Sequence, residues 1–160
     1  MGYTTDFRGE VEISPALNEE QINYINTFSG SRRMKRDVEI LKKLYAGKHG
    51  LGGSYGVEGE FFARDDGNCG QTRDDSILEH NYPPSTQPGL WCQWIIAEDG
   101  KVLEWDEGEK FYEYVKWLEY LIEKFFIPWG CILNGSIEWR GEDWDDAGTI
   151  WVNDNEVTTS

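Results

Sequence analysis

Two dipeptides, Asp99-Gly100 and Asn134-Gly135, do most to limit the folds open to this chain. Each is a hairpin signal, because a two-residue type I′ turn needs positive φ at both central positions. Leu90 to Ile96 and Val102 to Trp105 flank the first dipeptide. Cys131 to Leu133 and Ser136 to Trp139 flank the second. Apolar runs joined by so few residues pair side by side and antiparallel. Thr149 to Val152 adds another strand, and Val157 starts a short last one after a turn over Asn153–Glu156.

Helical patterns fill the remaining periodic stretches. The longest runs from Glu107 to Phe126, where Phe111, Val115, Leu118, Ile122 and Phe125 recur at steps of three and four. Tyr114, Trp117 and Leu121 widen this stripe, and Pro128 and Gly130 stop it. Nearer the N-terminus, Phe7, Val11 and Ile13 alternate with polar residues as in a half-buried strand, which Pro15 ends. Asn18 with Gln21 three residues on forms a capping box. A helix of about three turns follows through Ile22, Ile25 and Phe28 and breaks at Ser29-Gly30-Ser31. A second short helix begins near Asp37 and lines up Val38, Leu41, Leu44 and Tyr45. Glu58 to Ala63 is expected as a strand. The order β-α-α-β-β-β-α-β-β-β predicts an α+β fold: an antiparallel sheet with one long and two shorter helices packed on one face. At 160 residues, the length fits a single domain over 1–160.

Eight Trp, eight Tyr and seven Phe supply a large core, which argues against disorder despite a net charge of −15. The sequence contains no apolar run of about 18 residues. Met1 to Asp6 has neither a basic region nor an apolar one, and Gly2 with Asp6 departs from the myristoylation pattern. Cys69, Cys92 and Cys131 form no CxxC pair and are expected as free thiols, in keeping with a cytoplasmic chain that does not enter membranes.

Charge is unevenly distributed. Residues 1–50 carry 8 basic and 7 acidic groups, residues 51–100 carry 2 and 9, and residues 101–160 carry 5 and 14. Arg32, Arg33, Lys35, Arg36, Lys42, Lys43 and Lys48 make a basic strip. Duplex nucleic acid is not an expected partner for the acidic part, since binding it requires phosphate neutralisation.

Four surfaces are candidates for function. The first is the loop Gly141 to Gly148, where Glu142, Asp143, Asp145 and Asp146 surround Trp144. It suits a solvated hairpin tip or a partner-facing epitope anchored by a Trp. Its spacing is not an EF-hand's, and neither metal nor cofactor is expected. Glu109 and Glu113, with Glu119 and Glu123, extend the acidic surface along the long helix. The second is the strip Arg32, Arg33, Lys35 and Arg36, which could clamp an anionic, nucleotide-like ligand with Trp91 or Trp94 stacking on its base. The alternative is that these arginines pair with internal carboxylates and the rings are core. The third is Asp74, Asp75 and His80, able to do acid–base work or to serve as turn formers and helix caps before Ile77-Leu78. The fourth is the glycine-rich stretch 46–56, a connector or a ligand cradle without a P-loop ending. The polar segment 65–89 is long enough to be either functional or mobile.

Met1 to Phe7, the run Arg32-Arg33-Met34-Lys35-Arg36-Asp37, the run Gln87 to Trp94, and Gly141-Glu142-Asp143 together resemble a group of small acidic proteins of phages and bacteria. The resemblance covers nearly the whole chain. It implies a cytoplasmic, phage- or bacterium-associated setting and accessory roles such as countering a host defence. It supplies no catalytic residues. The leading expectation is a non-enzymatic protein that docks its acidic surface on a basic-surfaced or nucleic-acid-binding protein. A binder of a small anionic ligand comes second. A hydrolase or metal-dependent enzyme, built on Asp74, Asp75 and His80 or on the 142–146 cluster, comes third.

Overall fold

Phe7, Val11 and Ile13 lie buried along β1 (Asp6–Ser14), as their alternation predicts. The computed structural model describes residues 3–160; Met1 and Gly2, including the position read against the myristoylation pattern, lie outside them. The fold is α+β, with a six-stranded antiparallel sheet and three helices. The chain divides into two compact units. Unit 1 comprises residues up to Asn23 and from Gln93 to Ser160; unit 2 comprises Tyr24–Cys92. The division falls within α1 (Glu19–Ser29), whose capping box forms as expected. Gln21 N donates to Asn18 Oδ1 at 2.8 Å and Asn18 N to Gln21 Oε1 at 3.0 Å.

Unit 1 holds the sheet. Besides β1 it contains β4 (Trp94–Ile96), β5 (Val102–Trp105), β6 (Ile132–Arg140), β7 (Ala147–Asn153) and β8 (Glu156–Thr159), in the order β4-β5-β1-β6-β7-β8. The N-terminal strand thus pairs with β5 on one side and β6 on the other, antiparallel to both. The link from β5 to β6 must therefore pass over β1. It contains α3 (Tyr114–Leu121), prolonged by a π-helical turn over Ile122–Phe126. Phe7 lies at the centre of the packing beneath this crossover. The rings of Trp94, Trp105, Phe111 and Tyr114 meet it edge-on with centroids 4.9–5.7 Å away, a favoured aromatic geometry. The other sheet face carries Arg8, Glu10, Glu138 and Trp151, all exposed.

Three local expectations for unit 1 need correction. The long helix begins at Tyr114, not Glu107, because Glu107, Lys110 and Glu113 have φ of 66°, 58° and 57°. Such values break a helix. Asp99-Gly100 does turn the chain between β4 and β5, but with positive φ only at Gly100 (74°) and the bond Gly100 N to Ala97 O at 2.9 Å. That is a longer hairpin loop than type I′. Asn134-Gly135 does not turn at all. Leu133 and Ile137 are both buried on one face, so β6 runs straight through. The Asn134 side chain instead receives Asp154 N and donates to Asp154 Oδ1, bracing the β7–β8 turn. In that turn, Asp154 and Asn155 take φ of 48° and 72°, the positive values that a two-residue type I′ hairpin requires.

Unit 2 has little regular structure. It contains β2 (Lys35–Arg36) paired with β3 (Ile77–Glu79), and α2 (Val38–Tyr45), capped by Asp37 through Ile40 N at 3.1 Å. Leu41 of α2 packs on Tyr55 and Phe62. The expected strand Glu58 to Ala63 is a 3₁₀ turn, Val57–Gly59, followed by irregular chain. Gly56, Glu58 and Gly59 all have positive φ there. Leu90 to Cys92 lies outside β4 and belongs to unit 2, where Arg33 N bonds Leu90 O at 2.8 Å. The stretch 46–56 folds on itself, with the Tyr55 hydroxyl bridging Gly47 N and Lys48 O.

Gly9 and Gly135 stand where β1 and β6 leave no room for a side chain. A Cβ at Gly135 would sit 2.5 Å from Glu10 O, and one at Gly9 would sit 2.5 Å from Ser136 O. Gly135→Ala or Gly9→Ala is therefore expected to cost about 1–3 kcal/mol in a urea melt. Gly52→Ala meets no atom within 4 Å and suffers only from its φ of 58°.

Candidate functional site

The net charge, striped along the sequence, sorts cleanly by unit. Unit 1 carries 6 basic and 21 acidic side chains, net −15, while unit 2 carries 9 of each. The whole net charge therefore lies on the unit that contains the sheet.

The β6–β7 hairpin ends in the loop 141–146, closed by Gly141 N to Asp146 O at 2.7 Å and Asp146 N to Asp143 O at 2.9 Å. Trp144, at its apex, is 83% exposed. Its carbonyl accepts Arg140 Nη1 at 2.7 Å, so the backbone beneath the indole is anchored. The four carboxylates differ. Glu142 accepts Thr4 N at 2.9 Å, and Asp146 accepts the Tyr3 hydroxyl. The Asp143 and Asp145 side chains make no hydrogen bond or ion pair among the described residues, and both are exposed. The bond to Asp146 raises the Tyr3 phenol above its ordinary value, reinforced by burial and by the charges of Asp146 and Asp143. Tyr114, raised first by burial and then by Asp146, places the start of α3 within the field of the same loop. Glu113 lies there, paired with Lys116 at 3.3 Å, and Glu109 lies in the preceding irregular stretch. Neither is on the helix, although both are exposed, as are Glu119 and Glu123. Nothing local in the sequence points to Tyr3 and Thr4, which lie some 140 positions from their partners.

The basic strip has a different fate. Arg33 and Arg36 are each 2% exposed. Arg33 donates to Glu60 O at 2.8 Å, Gln87 Oε1 at 3.4 Å and Phe28 O at 3.5 Å, with its guanidinium 4.0 Å from the Phe28 ring centroid. Arg36 donates to Ser76 Oγ at 2.8 Å, Gly70 O at 2.9 Å and Asp74 at 3.4 Å, over the Phe62 ring. Arg32 holds His80 O and Asn81 Oδ1, and Lys35 pairs with Glu58 at 3.5 Å. Trp91 stands 5.8 Å from the Arg32 guanidinium. Trp94 is fully buried in unit 1, with its indole N–H on Tyr114 O at 2.9 Å. The expected phosphate clamp is therefore corrected: the two central guanidiniums are spent on internal acceptors, and Trp94 is core.

Asp74, Asp75 and His80 share the lining of a cavity of about 480 Å³ with Gln71, Arg73 and Ile77. They form no relay. Asp74 accepts from Tyr45, Ser76 and Arg36, while both His80 ring nitrogens face amide oxygens, of Asn81 and Gln71, at 3.2 Å. Asp75 is exposed. Burial alone would raise the Asp74 carboxyl, but the bonds from Ser76 and Tyr45 and the Arg36 charge outweigh it and hold it below its ordinary value. Burial draws Arg36 down while Asp74 opposes it; a guanidinium keeps its proton regardless. The expected helix cap at Asp75 or Ser76 is instead an Asp74 turn leading into β3, with Ser76 N on Asp74 Oδ1 at 2.8 Å. The long segment 65–89 is tied down similarly. Asp66 accepts Asn68 N, Gly70 N and Thr72 N, bonds that outweigh burial and hold its carboxyl far below the usual range. Among the described residues no three His, Cys, Asp or Glu side chains are grouped to hold a metal, and no helix is long and apolar enough to cross a membrane.

No known family, curated protein or solved structure matches the chain.

Two outcomes follow from this geometry. Trp144→Ala is expected to change stability by no more than about 0.5 kcal/mol, whereas Trp94→Ala should lose about 3–5 kcal/mol, both read from urea melts. Asp74→Asn should cost about 3 kcal/mol at pH 7 by stranding Arg36. The folded Asp74 carboxyl titrates below its unfolded value near pH 3.9, so its charge stabilises fully above about pH 4 and the benefit fades as pH falls through the folded value. The difference between wild type and Asp74→Asn should therefore shrink on acidification below pH 4.

Proposed function

We propose that this chain is a non-enzymatic interaction protein that docks the 141–146 hairpin tip on a basic surface of another macromolecule. The observation that carries this reading is Trp144, 83% exposed on a loop whose backbone is hydrogen-bonded on both sides. A large exposed ring on a fixed loop has the character of an interface anchor, since little conformational entropy remains to be lost on binding. The charge of unit 1 supports a basic partner. A net −15 favours approach to a cationic surface and opposes approach to nucleic acid or to anionic lipid. Glu142, Asp143, Asp145 and Asp146 ring the anchor, and Glu109 and Glu113 add charge toward the start of α3. The partner fitting this description is a nucleic-acid-binding or host-defence protein in the cytoplasm of a bacterium, which would make the chain a phage- or bacterium-associated accessory protein.

Affinity capture from bacterial lysate at low and high salt tests the reading, with wild type and Trp144→Ala run side by side. The expected result is a stoichiometric partner at low salt that is lost at high salt. Trp144→Ala should weaken its binding by about thirtyfold, the scale of a hot-spot residue. Recovery of no partner under either condition, or a partner indifferent to Trp144→Ala, would overturn it.

A further inference from the structure

We infer that Tyr3 is the residue that positions the Trp144 tip for binding, by holding the loop closed from outside the hairpin. The inference rests on the docking function proposed above. The phenol hydroxyl reaches across the loop, donating to Asp146 Oδ2 and accepting Asp143 N at 3.3 Å. One atom thus joins the two sides of the apex, Asp143 before Trp144 and Asp146 after it. The neighbouring Thr4 N takes Glu142 Oε1 at 2.9 Å. Gly141 makes room for this strap, since a Cβ there would collide with the Tyr3 hydroxyl and with Asp146 Oδ2.

The strap also selects which charges face outward. Glu142 and Asp146 are engaged by Thr4 and Tyr3. Asp143 and Asp145, on either side of the exposed indole, keep their carboxylates for solvent or a partner. Without the phenol hydroxyl, Asp143 N loses its acceptor and Asp146 regains its freedom, so the loop samples more shapes and the indole loses its fixed presentation.

Four forms of the full chain test this: wild type, Tyr3→Phe, Gly141→Ala and Trp144→Ala. Each is measured for amide exchange in the loop, for thermal melting, and for binding to a short oligoarginine peptide at low salt. Tyr3→Phe deletes the hydroxyl and Gly141→Ala displaces it, so the two should agree. Both are expected to speed exchange at Asp143 by about tenfold and to weaken peptide binding by about three- to tenfold, the scale of the net contribution of one hydrogen bond. The melting temperature should stay within a few degrees of wild type. Unchanged exchange in both variants would overturn the inference. So would faster exchange with unchanged binding while Trp144→Ala still weakens it, an outcome that leaves the docking function standing. If Trp144→Ala binds as well as wild type, the docking function fails and the role of Tyr3 fails with it.

Discussion

Two buried guanidiniums organise the half of the chain that has almost no regular structure. Arg33 and Arg36 lie three residues apart on the segment entering α2, and each sits over an aromatic ring, Phe28 or Phe62. Their donors reach the end of α1 at Phe28 O and, far from them in sequence, Glu60 O and Gln87 for Arg33, and Gly70 O, Asp74 and Ser76 of one loop for Arg36. An unpaired buried charge would be prohibitive, so the loops must close around these groups for unit 2 to fold. The planar, multi-donor guanidinium suits this work, since one side chain can serve several carbonyls at fixed angles. Glu60 and Asp66 act in the complementary sense, collecting Val57 N, Asn68 N, Gly70 N and Thr72 N.

Unit 1 is organised by apolar contacts. Strand β1 is drawn between β5 and β6, and Phe7 becomes the ring on which Trp94, Trp105, Phe111 and Tyr114 converge. Gly9 and Gly135 let β1 and β6 approach at points where a side chain would strike backbone. The same strand pair carries the chain to the acidic tip, so the rigidity of the sheet extends to the base of Trp144.

The strands of unit 1 and the cap of α1 were largely legible in the sequence because their determinants are local. The alternation of Phe7, Val11 and Ile13, the Asn18–Gln21 box, the helix start near Asp37 and the turn before Glu156 each depend on neighbours within a few residues. The errors arose where a local pattern was ambiguous or a distant contact decided. Asn134-Gly135 has the composition of a turn, yet burial of Leu133 and Ile137 on one face outweighs it and keeps the strand continuous. Phe111 fits a helical stripe and is buried, but it enters the core from an irregular stretch with three positive-φ side chains. The arginine strip looked like a ligand clamp because composition cannot say whether a guanidinium points outward. The exposure of Trp144 was open for the same reason. The Tyr3 contact was invisible, since its partners lie at the opposite end of the sequence.

The segregation of charge between the units gives neutrality an unusual meaning. The chain as a whole reaches zero net charge near pH 4.4. Unit 2, with equal numbers of both signs, is already cationic when its carboxyls begin to protonate, while unit 1 is still anionic. At its isoelectric point the molecule is therefore not uncharged: its zero is the sum of one anionic and one cationic unit. Attraction between the unlike units of separate copies then adds to the loss of repulsion that an evenly charged protein meets at its isoelectric point.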